Sequence, residues 1–501
     1  MKKTLREILN NNALVRNVYG STSLTVTGLC TDSRFAQKDN IFYALRGTQK
    51  DGNKFIAHAI QKGASVIVSD ELYAKVQFPP KTRVTYVQVE NLTQFMAESS
   101  ASFYGTTNAP MAFIGITGTN GKTTTAKFIN ETLKALGHKT VFLGTTGFEV
   151  CGRIIPTDFT TPPAPMLHKY LREGMDKGAT HVVMEVSSHA LKLKRVWGLR
   201  FDAAVFTNLT HEHRELHVSM DDYFSTKALL FGMLKPVGFA VINGDDDFSG
   251  GMRKSVPSGH RIVEYGKKNS ATLRLEKIKF NPDSRLQSIA FVQDGKSTAI
   301  ETRMIGEFNA YNALAAYGVL EGLGLDMAVG AEKFPTLPTV DGRFNWYKAG
   351  TFNVIIDFAH TPDGLEKLLQ EVNRIKPQGR RLITVFGCPG SRDPSKRPMM
   401  GKIATAASEH TIITTDDIHH ESPEAIIQDI TRELSETRHE IIIDRREAIR
   451  RSLQIAQEGD FVVIAGRGHE RYQYVGDEKI PFYDRQVFME EAQKLELKVE
   501  E

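Results

Sequence analysis

The 501-residue sequence predicts an α/β protein of three domains, the central one a mostly parallel sheet around a phosphate-binding loop and the C-terminal one a second doubly wound sheet. Three observations carry this. The chain is longer than one hydrophobic core usually supports. Short apolar runs alternate with helical patterns, pause at Pro335 and Pro338, and then resume. And the apolar run from Met111 to Ile116 feeds the Gly-rich turn Thr117-Gly-Thr-Asn-Gly-Lys-Thr123, which opens into a helix-like segment.

Residues 1–108 hold short β-like runs (Ser65 to Ser69, Arg83 to Val89) and a helical pattern, FIAHAIQKGA, with a Gly stop, as a small α/β unit would. In residues 109–337 the runs MAFIGIT, HVVMEV, AAVFTNL and GFAVIN alternate with helical stretches, and the Gly-rich turn is the first strand-to-helix connection. In residues 338–501 the runs NVIIDFA, RLITVFG, HTIITTD, EIIID and FVVIAG repeat the alternation, and the charged C-terminal tail reads as a solvated helix.

Composition narrows the partners. Sixty-three basic against 59 acidic residues leave a formal charge of +4 with no Lys/Arg block, which argues against nucleic acid and for a small-molecule partner. Cys30, Cys151 and Cys388 are too few and too scattered for a disulfide frame or a zinc cluster, which fits a reducing cytoplasm. The stretch MKKTLREILNNN lacks the apolar centre of a signal peptide. The longest apolar stretch, Ala228 to Ile242, is broken by Lys235 and Pro236, so no membrane association is expected.

The turn has the chemistry of a triphosphate site. Gly118 and Gly121 let backbone N–H groups face an anion, the helix that follows presents its positive end, Lys122 reaches the outer phosphates and Thr123 can hold a divalent cation. Ile116 stands where the common pattern has its first Gly, so the motif is the variant TGTNGKT. Glu185 closes the strand HVVMEV, where a carboxylate could reach the same cation. Past the next strand, which ends at Asn208, the run LTHEHRELH gathers three histidines, of which His213 is the strongest candidate. His211, His213 and His217 lack a common spacing suited to zinc, apart from His213 and His217 on a helix.

Taken together with Thr31-Asp-Ser-Arg34, FYALRGTQKDGNKFI, TTPPAP, EVSSHAL, YFSTKALLF, DFAHTPDGL, GCPGSRDPSKRPMMG and GRGHERYQ, these residues resemble the Mur ligase family almost end to end. The resemblance implies an N-terminal uridine-nucleotide-binding domain, a central P-loop ATPase domain and a C-terminal Rossmann-like domain. It implies an ATP- and magnesium-dependent ligase that adds the third amino acid to UDP-N-acetylmuramoyl-L-alanyl-D-glutamate through an acyl phosphate, in the cytoplasm, as a monomer. Lys122, Glu185, His213 and Lys227 would be catalytic. Thr123, Glu185, His213 and Lys227 would serve magnesium, Lys227 as the carbamate (N6-carboxylysine), because an ammonium cannot ligate a cation. ATP would be held by Gly118, Thr119, Asn120, Gly121, Lys122, Thr123, Thr124, Asn309, Asn312, Arg343, Asp357 and His360. Ser33, the loop from Gly47 to Asp51, Thr160, Thr161, Ser187 and Arg195 would hold the UDP-sugar dipeptide. Arg392, Asp417, His419, His420, Gly466 and Glu470 would hold the incoming amino acid.

Departures from the family bear on that amino acid. Members that add meso-diaminopimelate carry Asp-Asn-Pro-Arg where this chain reads Asp416-Asp-Ile-His-His-Glu421, with no arginine for a second carboxylate, and the Asp-Pro-Ala-type run of lysine-adding members is also missing. Asp416, Asp417 and Glu421 favour a side chain ending in an amine, so L-lysine or another basic amino acid is expected ahead of diaminopimelate. Pro389 and Ser391 also replace more usual Gly and Asp neighbours of Arg392. A folate-polyglutamylating ligase would lack TDSR and GRGHE. A non-catalytic nucleotide-binding paralogue would have lost Lys122, Glu185, His213 or Lys227, and all four are present.

Overall fold

The strand Ala112–Thr117 lies at the centre of an eleven-stranded sheet. Its run AFIGIT carries no charge and its last five residues are buried, as a strand covered on both faces by helices requires. His181–Glu185 and Phe201–Phe206 flank it in parallel, with Thr140–Gly144 beyond one and Leu234–Asn243 and Arg261–Gly266 beyond the other. The chain winds from Ala112–Thr117 first to one side and then to the other, so the carboxyl ends of these strands open a crevice where the winding reverses. Ile114 and Ile116 pack with Ile129 and Leu133 of the helix Lys122–Ala135 and with Ala310 and Leu314 of the helix Glu307–Gly322. Burying each such isoleucine contributes about 1.5–3 kcal/mol.

The computed structural model describes residues 1–47, 51–80, 82–210, 217–281, 284–435 and 439–500. Two antiparallel additions extend the central sheet: Gly147–Val150 with Arg153–Ile155 at one edge, and Leu286–Gln293 with Lys296–Thr302 beyond Leu273–Asn281 at the other.

The N-terminal sheet has the order Val15–Tyr19, Thr85–Val89, Val66–Ser69, Asn40–Tyr43, Gly28–Cys30, and the FIAHAIQKGA pattern becomes the helix Ile56–Gln61. The C-terminal sheet places His439–Ile441, His410–Ile413, Leu382–Phe386, Phe461–Ala465 and Phe352–Asp357 side by side in parallel. Asn345–Ala349 and Val499–Glu500 complete it antiparallel. The charged tail is therefore not a solvated helix: Val487 and Phe488 of Asp484–Lys494 enter the core beside Tyr347, and the chain ends on the sheet edge. Its apolar residues outweigh the charges around them because they fall on one helical face. Among the described residues no helix is long and apolar enough to cross a membrane.

Candidate active site

The phosphate loop is shaped by two glycines in a backbone conformation that other residues adopt only under strain. Gly118 and Gly121 have φ of 150° and 83°, and an added Cβ would meet Thr207 Oγ1 at 1.9 Å and Asn312 Oδ1 at 2.4 Å respectively. The loop is pinned from the next strand end, where Asn208 O accepts from Thr119 N at 2.8 Å and Asn208 Oδ1 from Asn120 N at 2.8 Å. Lys122 begins the helix Lys122–Ala135 and curls back so that Nζ donates to Gly118 O and Thr119 O at 3.0 and 2.7 Å. The helix has no side-chain cap, which leaves its first N–H groups and positive end directed at the loop.

Glu185 is fully buried at the end of its strand, where its Oε2 accepts from Thr123 Oγ1 at 2.9 Å and its Oε1 from Thr145 N at 2.8 Å. A hydroxyl and a carboxylate held together beside a phosphate loop are hard oxygen donors of the kind magnesium takes. Lys227, 1% exposed, donates from Nζ to Gly118 O at 2.7 Å and lies 4.4 Å from the Tyr223 ring centroid, so its side-chain end is brought to the loop. His217 sits against Tyr223, its Nδ1 3.2 Å from Asp222 Oδ2. His213, with His211, lies outside the described residues.

A cavity of 650 Å³ extends from the loop between the central and C-terminal sheets. Asn120, Gly121, Thr124, Asn309, Asn312, Arg343, Asp357 and His360 all line it, which brings together most of the residues expected to hold ATP. Asn309 and Asn312 are not helix caps: they bond each other at 3.1 Å inside the helix Glu307–Gly322, whose cap is Gly306. Asp357 does act as a strand-end acceptor, taking Phe344 N at 2.7 Å and Ala359 N at 2.8 Å. Burial pushes its carboxyl up despite Arg343 and these bonds. Arg343 is half-buried and packs on the Phe358 ring, 4.5 Å from its centroid, with Nη2 3.5 Å from Thr123 Oγ1 and a buried Nε without a partner among the described residues. A guanidinium with a buried, unsatisfied N–H beside a phosphate loop fits an anion such as the phosphate tail of ATP.

A second cavity of 490 Å³ adjoins the first, and Arg392, Asp417, His419, Gly466 and Glu470 line it. His420 does not: its imidazole is two-thirds exposed, with Nε2 3.4 Å from Asp477 Oδ1. Nor do the three acidic residues stand free. Arg467 Nη1 bonds Asp416 Oδ1 at 3.0 Å and also bonds Asp417, while Glu421 takes Arg397 at 2.8 Å and Ser391 N. Burial raises the Asp416 carboxyl, but Arg467 and Arg445 beside it bring it below the usual range. Burial, and then Asp416, push Glu470 up to about 8. Two aspartates and Glu470 share the one Arg467 guanidinium, so the cluster is net negative even with Glu470 protonated.

On the N-terminal side, Ser33 Oγ lies 2.9 Å from His58 Nδ1, and residues 48–50 of the Gly47 to Asp51 loop lie outside the described set. Arg195 Nη1 donates to Thr161 O at 2.7 Å, Thr161 Oγ1 donates to Glu185 O at 2.8 Å, and Thr145 Oγ1 donates to Thr160 Oγ1 at 3.1 Å. Ser187 caps the helix Ser188–Lys192 through Ala190 N. These residues thus brace the loop that ends at Thr161 beside Glu185.

Sequence reasoning missed Thr145, Asp363, Arg467 and His469. Asp363 accepts from Asn120 Nδ2 at 3.0 Å, joining the C-terminal sheet to the phosphate loop. His469 packs on Phe358 with ring planes tilted by 53°, and burial, then Arg343, push its imidazole down to about 3. His469 and Arg467 stand inside GRGHE and Asp363 inside DFAHTPD, so the motifs that carried the resemblance already pointed at them.

Family models match three successive stretches: "Mur ligase family, catalytic domain" at residues 25–104, "Mur ligase middle domain" at 116–320 and "Mur ligase, glutamate ligase domain" at 342–468. A protein of Chlorobium phaeobacteroides named UDP-N-acetylmuramoyl-L-alanyl-D-glutamate–2,6-diaminopimelate ligase is 38% identical over 97% of this chain and 96% of its own. One of the same name from Aquifex aeolicus is 38% identical over 93% of each. A solved structure of a ligase so named superposes with a TM-score of 0.68 at 30% identity, covering 99% of this chain and 100% of that one. The MurF ligase of Thermotoga maritima in complex with ADP, at 18% identity and a TM-score of 0.64, shares the fold. A phosphate loop with its buried acid, and relatives matched along nearly their whole length, lead to one statement: the chain belongs to the Mur ligase family and is an ATP-dependent, ADP-forming ligase.

Proposed function

We propose that this chain adds the third amino acid to UDP-N-acetylmuramoyl-L-alanyl-D-glutamate in peptidoglycan precursor synthesis, as a cytoplasmic monomer. The observation that carries the reading is that the two cavities share His360, Thr361 and Asp363 in their walls, so the phosphate end of one opens toward the Arg392 and Glu470 end of the other. In this reading the γ-phosphoryl group of ATP passes to the D-glutamate γ-carboxylate, giving an acyl phosphate and ADP. The amine of the incoming amino acid then attacks the acyl carbon, loses a proton, and phosphate leaves. The work of the chain is positioning and charge compensation. Lys122 and Arg343 face the phosphate tail. Thr123, Glu185, His213 and a carbamylated Lys227 would hold magnesium, which screens the two anions from each other. Thr160, Thr161, Ser187 and Arg195 hold the peptide end of the UDP-sugar and Ser33 the uridine end.

The third amino acid is proposed to be L-lysine or another basic amino acid. The net negative cluster of Asp416, Asp417 and Glu470 favours an ammonium, and the position that would meet a second carboxylate carries His419 in place of an arginine. A second reading, 2,6-diaminopimelate, is favoured by the relatives' names at 34–39% identity. Incubation with ATP, magnesium, the UDP-linked dipeptide and each amino acid in turn, with phosphate release measured, separates the two. Release with lysine supports the first, release with diaminopimelate alone supports the second, and intact ATP with every amine donor ends both.

A further inference from the structure

The hairpin Tyr472–Val475 and Glu478–Pro481 follows GRGHE and touches both substrate regions. On one side it is stitched to the wall of the second cavity. Tyr474 N donates to Asp417 Oδ1 at 3.1 Å and Gln473 Nε2 to Asp416 O at 2.6 Å. His419 N donates to Tyr474 O at 3.1 Å and Gly476 N to His419 O at 2.6 Å, so the backbone at His419 joins the hairpin as an extra bridge. The Tyr474 ring also stacks on His419, with centroids 5.3 Å apart and planes 23° from parallel. On the other side, Lys479 Nζ donates to both carboxylate oxygens of Asp158, at 2.9 and 3.0 Å, while lying 5.2 and 5.4 Å from the Tyr472 and Tyr474 ring centroids. Asp158 stands two residues before Thr160, in the loop that Arg195 and Glu185 brace.

We propose that this hairpin is a strap in which Tyr474 and Lys479 are positioning residues, Tyr474 fixing the His419 ring against the third amino acid and Lys479 tying that wall to the loop that holds the peptide end of the UDP-linked substrate. The strap rests on the function proposed above and adds to it: side-chain selection in one cavity is coupled to the seating of the other substrate. Both ends are polar and local, so the coupling is modest. Asp158 is 73% exposed and Lys479 37%, which limits the ion pair to about a two- to fivefold effect on binding.

The test is a charge exchange. Asp158→Lys and Lys479→Glu are each expected to raise KM for the UDP-linked dipeptide about two- to fivefold at low salt with kcat little changed, and the double variant to return KM to within about twofold of the parent. Singles without effect, or a double variant as poor as the product of the two, would overturn the strap. Tyr474→Phe keeps the stack and should leave amino-acid selectivity unaltered. Tyr474→Ala should narrow the kcat/KM gap between the preferred amino acid and its competitors, and an unchanged gap would remove the specificity role. A second arm does not depend on turnover: a water-soluble carbodiimide should join the Lys479 amine to the Asp158 carboxylate as an amide without substrate, the carbodiimide leaving as its urea, and the cross-linked peptide should be absent from Lys479→Glu. Failure to cross-link overturns the contact even if the ligase reading holds, whereas an inactive parent protein that does cross-link sinks the ligase reading and leaves the strap contact standing.

Discussion

Burial and the adjacent Asp416 carboxylate push the Glu470 carboxyl up to about 8, against 4.5 for a free glutamate. The folded protein therefore holds a proton that the unfolded chain releases, and this contribution to stability is present below 4.5 and lost as pH rises toward 8. The same proton opposes amine binding, because only the ionised carboxylate attracts an ammonium. KM for the amino acid should fall as pH rises from about 6 to about 8, and Glu470→Gln should flatten that dependence while raising KM about tenfold or more, the weight of a hydrogen bond to a charged group. Steady-state kinetics across this range check it, and a Gln variant with the parent's slope would remove Glu470 from amine recognition. Lys227 poses the opposite problem: a lysine 1% exposed, ending on the Gly118 carbonyl, has been buried for a reason other than solubility. Lys227→Ala is expected to lower kcat on the order of 100-fold, with partial recovery on adding short carboxylic acids that replace the carbamate. A variant with full activity would exclude the carbamate from the mechanism.

The helix Glu307–Gly322 carries Asn309 and Asn312 into the nucleotide cavity, yet its cap, Gly306, has no side chain to satisfy the first N–H groups. The acceptor comes from the helix Pro362–Ile375 of the C-terminal sheet: Glu371 Oε2 takes Glu307 N at 3.2 Å, and Arg374 Nε holds both Glu371 oxygens at 3.0 and 3.2 Å. A cap contributes about 1 kcal/mol, so Glu371→Ala should raise KM for ATP about fivefold, and Glu371→Gln, which keeps an acceptor oxygen, should restore most of the loss. Nucleotide titration of both variants checks it. Such a pairing shows where reading the chain stops. The phosphate loop could be read because its residues are contiguous, and the parallel strands because runs such as LITVF are buried throughout. Lys296–Thr302, with only two buried residues, gives a weak alternation, and the edge of the central sheet was missed with it. Asp416 with Arg467, Glu421 with Arg397 and Glu307 with Glu371 join residues that no local spacing links, so carboxylates that looked free to meet a substrate amine prove to be shared with arginines, which leaves the Asp416, Asp417 and Glu470 cluster only its excess negative charge.

Across the whole molecule, the central and C-terminal sheets meet through apolar packing, as where Phe280 stacks on Trp346, and over the phosphate loop through polar contacts that include Asn120 Nδ2 to Asp363 Oδ2 at 3.0 Å and Arg343 Nη2 to Thr123 Oγ1 at 3.5 Å. In the proposed reaction the domains part to admit substrates and close to exclude water from an acyl phosphate, and individual polar contacts over the loop suit a seam that opens. Each bond nets about 1 kcal/mol, so losing one shifts the balance of closed and open forms about fivefold without unfolding either domain. Asp363 also pairs with Lys367, at 2.8 Å, outside the phosphate loop, so its removal weakens closure and leaves the loop's own geometry in place. Asp363→Ala should therefore admit water before the amine attacks. Phosphate released per amide bond formed should rise from one to about two or more in that variant, while ATP consumption falls less than amide formation. Phosphate and product measured in one reaction give the ratio directly, and a ratio that stays at one would mean that the acyl group is shielded by something other than the seam at Asn120 and Asp363.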